Sequence, residues 1–165
     1  RFSLGVTGKL VSVKIDDISG IAFAADIGFR YRLDGGLRFP ADVALVARNL
    51  GSGLKLGSET DPLPSAVVLG ASARPRPDRL LALDIIQYRD ADLIFALGGE
   101  YRRALSGQLQ GLVRAGYNNH HKDVQGANGL TLGAGLALPS LAFDFAWVPF
   151  GDLGNTFRYS LLVRF

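Results

Sequence analysis

The chain of 165 residues contains neither cysteine nor methionine. Without cysteine there is no disulfide framework, no thiolate nucleophile and no cysteine-ligated metal. That absence suits a protein exported through an oxidising compartment. Histidine is nearly as scarce, with His120 and His121 side by side and no other. A long hydrophobic run is missing too, although 48% of residues are hydrophobic and the mean hydropathy is +0.19. Ile85-Ile86 is soon followed by Arg89, and residues 93–97 lie between Asp92 and Glu100. Nothing approaches the ~20 apolar residues of a spanning helix. Yet the chain is too apolar, at 20% charged residues, to be disordered. Apolar residues spread thinly over alternate positions of strands reconcile these facts.

What is present bears this out along the whole chain. Alternating segments of about ten residues are closed by Gly, Pro, Asn or Asp. Ten strands are predicted, at 2–14, 20–33, 39–50, 63–74, 79–88, 91–103, 107–118, 127–138, 141–149 and 155–165. Breaks fall at Asp16-Asp17, Asp34-Gly35-Gly36, Pro75-Arg76-Pro77-Asp78, Arg89-Asp90, Ser106-Gly107 and Pro139-Ser140. Longer ones span 51–62, read as a flexible loop, 118–126, and 151–154. Helical periodicity is sustained nowhere, and no linker divides residues 1–165 into two domains. The net charge of +3 and pI near 9.4 raise the question of nucleic acid. Basic residues sit singly on separate segments, with acids on neighbouring ones, so no nucleic-acid partner is expected.

In segment 20–33 the odd positions are Ile21, Phe23, Ala25, Ile27, Phe29 and Tyr31, while the even ones include Asp26, Arg30 and Arg32. Successive strand side chains point to opposite faces, so one face is apolar and the other holds the charges. Segments 91–103, 141–149 and 155–165 repeat this; Val46, Val68, Ile86 and Leu112 are exceptions that fall on the charged face. Alternation alone does not say which face is inside. A soluble ligand-binding barrel would turn its apolar face inward. Three features favour lipid outside. Aromatics gather near strand ends, at Tyr31, Tyr88, Tyr101, Tyr117, Trp147, Phe150 and Phe157, as an interfacial girdle requires. The charged face is rich in Gly and Ala where a solvated face would carry Lys, Glu and Thr. The last strand also ends on an aromatic. The expected fold is therefore all-β, an antiparallel transmembrane β-barrel of the bacterial outer membrane. Because such a protein is exported and no leader precedes Arg1, an N-terminal part is expected to be missing.

The segment carrying Tyr159, Leu161, Val163 and the terminal Phe165 resembles the C-terminal assembly signal of outer-membrane barrels. That resemblance implies the barrel-assembly machinery as a partner, beside the lipid itself. A wider likeness runs through Ala47-Arg48-Asn49-Leu50-Gly51, Asp61-Pro62-Leu63-Pro64, Leu83-Asp84, Glu100-Tyr101 and Arg114-Ala115-Gly116-Tyr117. It continues through Phe143-Asp144-Phe145-Ala146-Trp147-Val148-Pro149-Phe150-Gly151-Asp152-Leu153-Gly154, then Arg158 and Ser160. Together these resemble the C-terminal portion of the PorV/PorQ family, relatives of FadL-like fatty-acid transport barrels. The resemblance implies a fourteen-stranded barrel, with about four strands upstream of the ten here. It also implies a part in type IX protein secretion or surface assembly, with secreted proteins or secretion-system subunits as partners. The alternative is a FadL-like or porin-like channel for small or hydrophobic solutes.

Candidate chemistry is sparse. His120-His121 with Lys122 and Asp123 is the one histidine cluster, but adjacent residues of an extended loop point apart and further ligands are lacking. A Ser-His-acid site would have to converge on that loop, and no motif supports one. Gly51-Ser52-Gly53 lacks the Gly-Lys-Ser/Thr ending of a phosphate loop. The chain reads as non-enzymatic, without cofactor or metal. The charges Lys9, Asp26, Arg30, Arg32, Asp42, Arg48, Arg74, Asp84, Asp92, Glu100, Arg102, Arg114, Asp144, Arg158 and Arg164 share the polar face and are expected to face the lumen. Interspersed signs favour an ion-pair network that stiffens the wall over an anion-selective passage lined by Arg.

Overall fold

The computed structural model describes residues 1–16, 18–33, 37–56, 59–119, 129–150 and 154–165. In chain order the strands are β1 Phe2–Ile15, β2 Ile18–Leu33, β3 Ala41–Gly51, β4 Leu54–Leu56, β5 Glu59–Asp61 and β6 Ala66–Arg76. They continue as β7 Arg79–Tyr88, β8 Ile94–Ser106, β9 Leu109–Asn118, β10 Leu130–Ala137, β11 Leu141–Pro149 and β12 Asn155–Val163. Among the described residues there is no helix. Ten strands form one antiparallel sheet in the order β1-β2-β3-β6-β7-β8-β9-β10-β11-β12, while β4 and β5 pair with each other. Each main strand bonds to its sequence neighbour, a meander broken only where the small hairpin is inserted. In the described residues β1 and β12 are edges, each with a single neighbour, so this sheet is not closed.

The ten expected strands all appear, with shifted ends. β8 begins at Ile94 rather than 91 and runs on to Ser106, and β6 begins at Ala66 and runs to Arg76. Extension through Pro75 is accommodated by a break in register between Ala73 and Arg76, after which Pro77-Asp78 makes the turn. A proline lacks the N–H that a ladder uses, so it is tolerated only at such an irregularity. The next tight turn holds Gly107 at φ +51, between the paired Ser106 and Leu109. A positive φ at the first turn residue suits the twist of a two-residue hairpin, and glycine adopts it without strain. The loop expected over 51–62 is corrected: it holds the β4–β5 hairpin, paired from Leu54↔Asp61 to Leu56↔Glu59.

Exposure separates the two faces of the main sheet. Phe23 is 64% exposed, Leu97 56% and Tyr159 68%, all on the apolar face. On the charged face Ala22, Val68, Ile94 and Leu112 are buried, at 7% exposure or less. A flat single layer would expose both faces alike. One pocket of about 520 Å³ is lined by residues from β7 through β12. The apolar face has a pocket of its own, of about 660 Å³ and lined mainly by residues of β2 through β10, so it is burial that tells the two faces apart. The sheet therefore curls toward its charged face, burying small and even large side chains there. Its convex face is left hydrophobic and uncovered.

The register also corrects one girdle residue. Tyr88 pairs with Ala66 on the charged face, beside Ile86 and Asp84, while Tyr31, Tyr101, Tyr117, Trp147 and Phe157 pair with apolar-face residues. The Trp147 indole N–H, a donor on the apolar face, is satisfied by Asn155 Oδ1 at 3.0 Å.

Candidate functional site

The concave face carries every acid of the main-sheet strands and most of their basic residues, and many of these are organised into three clusters. The first begins with a β-bulge. Between Ala25↔Leu50 and Ile27↔Ala47 the β2–β3 register shifts, so Asp26 faces both Arg48 and Asn49. Asn49 takes the left-handed conformation at φ +52, which asparagine tolerates better than most side chains. Its backbone N–H donates to Asp26 Oδ1 at 2.9 Å and its amide donates to the Pro64 carbonyl at 2.8 Å. Lys9 Nζ on β1 donates to Asn49 Oδ1 at 3.0 Å and pairs with Asp26 Oδ2 at 2.6 Å. Three strands and the segment before β6 thus meet at one bulged residue.

The second cluster lies on β2 and β3. Arg30 and Arg32 stand two apart on one face, and both reach Asp42 Oδ1, at 2.9 Å and 3.2 Å. The third crosses four strands. Arg114 on β9 is directly opposite Glu100 on β8 and pairs with it at 2.7 Å, while Arg102 holds the other carboxylate oxygen at 3.0 Å. The same Arg114 reaches Asp144 on β11 at 2.5 Å, passing over β10. It can do so because β10 presents Gly133 and Gly135 on that face. A side chain at Gly135 would collide with the Asp144 carboxylate.

The remaining expected lumen charges land less uniformly. Arg48 lies beside the first cluster, opposite Ala66 and facing Asp26 across the bulge, but makes no ion pair with it. Asp84 lies opposite Gly70, where an added Cβ would fall 2.7 Å from its Oδ1. Arg158 is opposite Ala146 and lines the 520 Å³ pocket with Glu100, Arg114 and Asp144. Arg74 sits at the irregular end of β6, its N–H bonded to the Pro40 carbonyl. Asp92 lies in the turn before β8, outside the strands. Arg164 follows β12, and its guanidinium turns to the Pro139 carbonyl at 3.4 Å, along the rim. Tyr159, Leu161 and Val163 stand on the convex face opposite Phe145, Phe143 and Leu141, and Phe165 extends past the strand, fully exposed.

Three of the four apolar exceptions on the charged face fall into line, while Leu112 stands apart between Arg102 and Gly135. Val46, Val68, Ile86 and Ile94 are consecutive register partners across β3, β6, β7 and β8. They make an apolar row on the concave wall. Ile94 was hidden in sequence because Leu93 and Phe95 beside it carry the expected alternation. Asn49 was missed as a hub, although a signal existed: apolar residues shift from odd positions (Val43, Leu45, Ala47) to even (Leu50), which only a bulge permits.

Among the described residues no group of three metal-ligating side chains converges. The His120-His121 pair with Lys122 and Asp123 lies outside the described residues, as does 151–153 of the Phe-Gly-Asp-Leu-Gly turn. Comparison with known proteins found no match to the chain among family profiles, curated proteins or solved structures.

Proposed function

We propose that the curled sheet is the wall of an outer-membrane β-barrel, with its convex face in lipid and its charged face lining the lumen. One observation carries the reading: the exposed face is the hydrophobic one. Every Asp and Glu within the main-sheet strands (Asp26, Asp42, Asp84, Glu100 and Asp144) lies on the concave face. In water that distribution would leave an apolar surface far larger than a soluble protein carries. In a bilayer it is what the wall of a barrel needs. Closing the wall takes pairing at the free edges of β1 and β12. On this reading the protein is non-enzymatic and is met by the barrel-assembly machinery through Tyr159, Leu161, Val163 and Phe165. Its likeness to the PorV/PorQ family supports a role in protein secretion or surface assembly.

A second reading has an observation of its own. The row Val46, Val68, Ile86 and Ile94 would line a lumen with apolar side chains, which suits a conduit for hydrophobic solutes. Topology tests the shared premise. Barrels of this class end their last strand in the periplasm, which puts 89–93, 118–126 and 151–154 outside the cell and 77–78, 107–108 and 139–140 in the periplasm. Single cysteines at Asp90, Ser106 and Ser140 are labelled in intact cells with an impermeant maleimide. Labelling at Asp90 alone supports the assignment, and labelling at Ser106 or Ser140 instead overturns it. Loss of the gene then separates the roles: fewer proteins reaching the surface favours secretion, and slower fatty-acid uptake favours the conduit.

A further inference from the structure

The convex face is not purely apolar, and its few charges are all of one sign. Within the main-sheet strands it carries Lys14, Arg76, Arg79 and Arg103 and no acid, by register with neighbouring apolar-face residues. Three of the four gather at one end. Arg76 and Arg79 are cross-strand partners on β6 and β7, and Arg79 lies opposite Tyr101 of β8, two residues before Arg103. Two like charges directly opposite in a ladder are destabilising unless something between them neutralises the pair. The Arg79 guanidinium rests over the Tyr101 ring at 5.9 Å from its centroid. The nearby acid Asp78 touches Arg79 only at 3.9 Å, leaving the fork of N–H donors largely free.

Beside this cluster the convex face has a groove of about 580 Å³. Tyr101, Arg103 and Leu105 of β8 form one wall, and Phe143 and Phe145 of β11 form the other. Between the walls Val113 and Leu136 rise from the floor, and Gly111 and Ala134 beside them leave it room. An added Cβ at Gly111 would press on Leu105 at 3.0 Å. The volume falls in the ~300–1,000 Å³ range of small-ligand sites. Apart from Arg103, the groove's side chains offer no charge.

We infer that Arg76, Arg79 and Arg103 bind the phosphate of an anionic phospholipid whose acyl chain lies in the groove between Tyr101 and Phe143. Guanidinium forks match phosphate oxygens bidentately, and lysine would not hold that geometry as well. The aromatic beneath Arg79 orients the fork and sits at the depth where aromatics favour the interface. Three cations against the single turn acid Asp78 leave a net positive site, which favours an anionic headgroup over one that also carries an ammonium. The assignment rests on the barrel reading, which places this end, with Phe165, at the periplasmic leaflet.

The test uses the protein purified from membranes in a mild detergent. Native mass spectrometry follows its retention of phosphatidylglycerol and of phosphatidylethanolamine with the same acyl chains. The expected result is about a tenfold preference for phosphatidylglycerol. It should fall to less than about twofold in the Arg79→Gln/Arg103→Gln variant and persist in Arg89→Gln at the opposite end. Ala134→Trp, which fills the groove and leaves every arginine, should weaken retention of phosphatidylglycerol as well. Equal retention of the two lipids overturns the proposal. So does displacement by millimolar inorganic phosphate together with indifference to Ala134→Trp, since the site would then hold phosphate and no chain. Insertion into vesicles, read as heat-modifiable migration on the same preparation, tests the barrel reading separately. An inserted protein without lipid preference removes this proposal alone, and a protein that never inserts removes the barrel.

Discussion

Arg114 bonds to Asp144 at 2.5 Å although a whole strand, β10, runs between theirs. The bond exists because β10 offers hydrogen atoms where other strands offer side chains. Glycine inside a strand weakens it by conformational entropy and lost packing. Gly133 and Gly135 therefore mark a place where a neighbour's side chain needs the room.

Filling that space should cost stability without changing the sheet. Gly135→Leu pushes the Asp144 carboxylate off Arg114 and crowds the concave wall, and is expected to lower unfolding stability by about 1–3 kcal/mol. Urea unfolding of vesicle-inserted protein measures it. A double-mutant cycle on Arg114→Met and Asp144→Leu should return a coupling of about 0.5–1 kcal/mol, because both side chains are more than a third exposed. Coupling indistinguishable from zero would mean that the bridge only fills space.

Asn49 should be sensitive to shape rather than to polarity alone. At φ +52 a β-branched side chain is strained, while glycine is at ease. Asn49→Val therefore loses the two side-chain hydrogen bonds, to Lys9 and to the Pro64 carbonyl, and adds backbone strain; Asn49→Gly loses those two bonds alone. The expected order of stability is wild type, then Gly, then Val, with Val at least ~1 kcal/mol below Gly. The same unfolding assay decides. Equal loss in both variants would show that the bulge conformation itself carries no strain.

Two adjacent residues should respond oppositely to the same new charge. Ala96 lies on the concave face directly opposite Asp84, and Leu97 lies on the convex face. Ala96→Arg gains a carboxylate neighbour and should assemble near wild-type levels. On the proposed barrel, Leu97→Arg would put a cation toward lipid, at a cost of up to about 2–4 kcal/mol near the midplane, and should assemble several-fold less. The quantity to measure is heat-modifiable protein in outer-membrane fractions. Comparable assembly of both variants would mean that water reaches both faces.

Phe165 should serve assembly and not activity. The structure leaves its ring wholly exposed, past the last paired residue of β12. It has no polar atom and cannot act as acid, base or ligand. Its deletion should lower the amount of inserted protein, while secretion or uptake per inserted copy stays constant. Normal insertion with lost activity would contradict this.

The ten strands, their order of facing and the turn positions were legible in the residues themselves. Side-chain alternation is a local property: a period of two in Ile21, Phe23 and Ala25 against Ala22, Ala24 and Asp26 dictates two unlike faces whatever the strand pairs with. Tertiary structure decided everything that depends on register. Which carboxylate meets Arg114, why Val46, Val68, Ile86 and Ile94 share a row, and why Tyr88 leaves the girdle all follow from the alignment of separate strands. So do the place of Asn49 in the first cluster and the meeting of Arg76 with Arg79. Residues that face one another across a ladder lie up to dozens of positions apart in the chain, and a single bulge shifts every pair beyond it. Curvature belongs to the same class. It arises only when many twisted strands are bonded side by side, and here it turned the charged face inward and left the hydrophobic face outside.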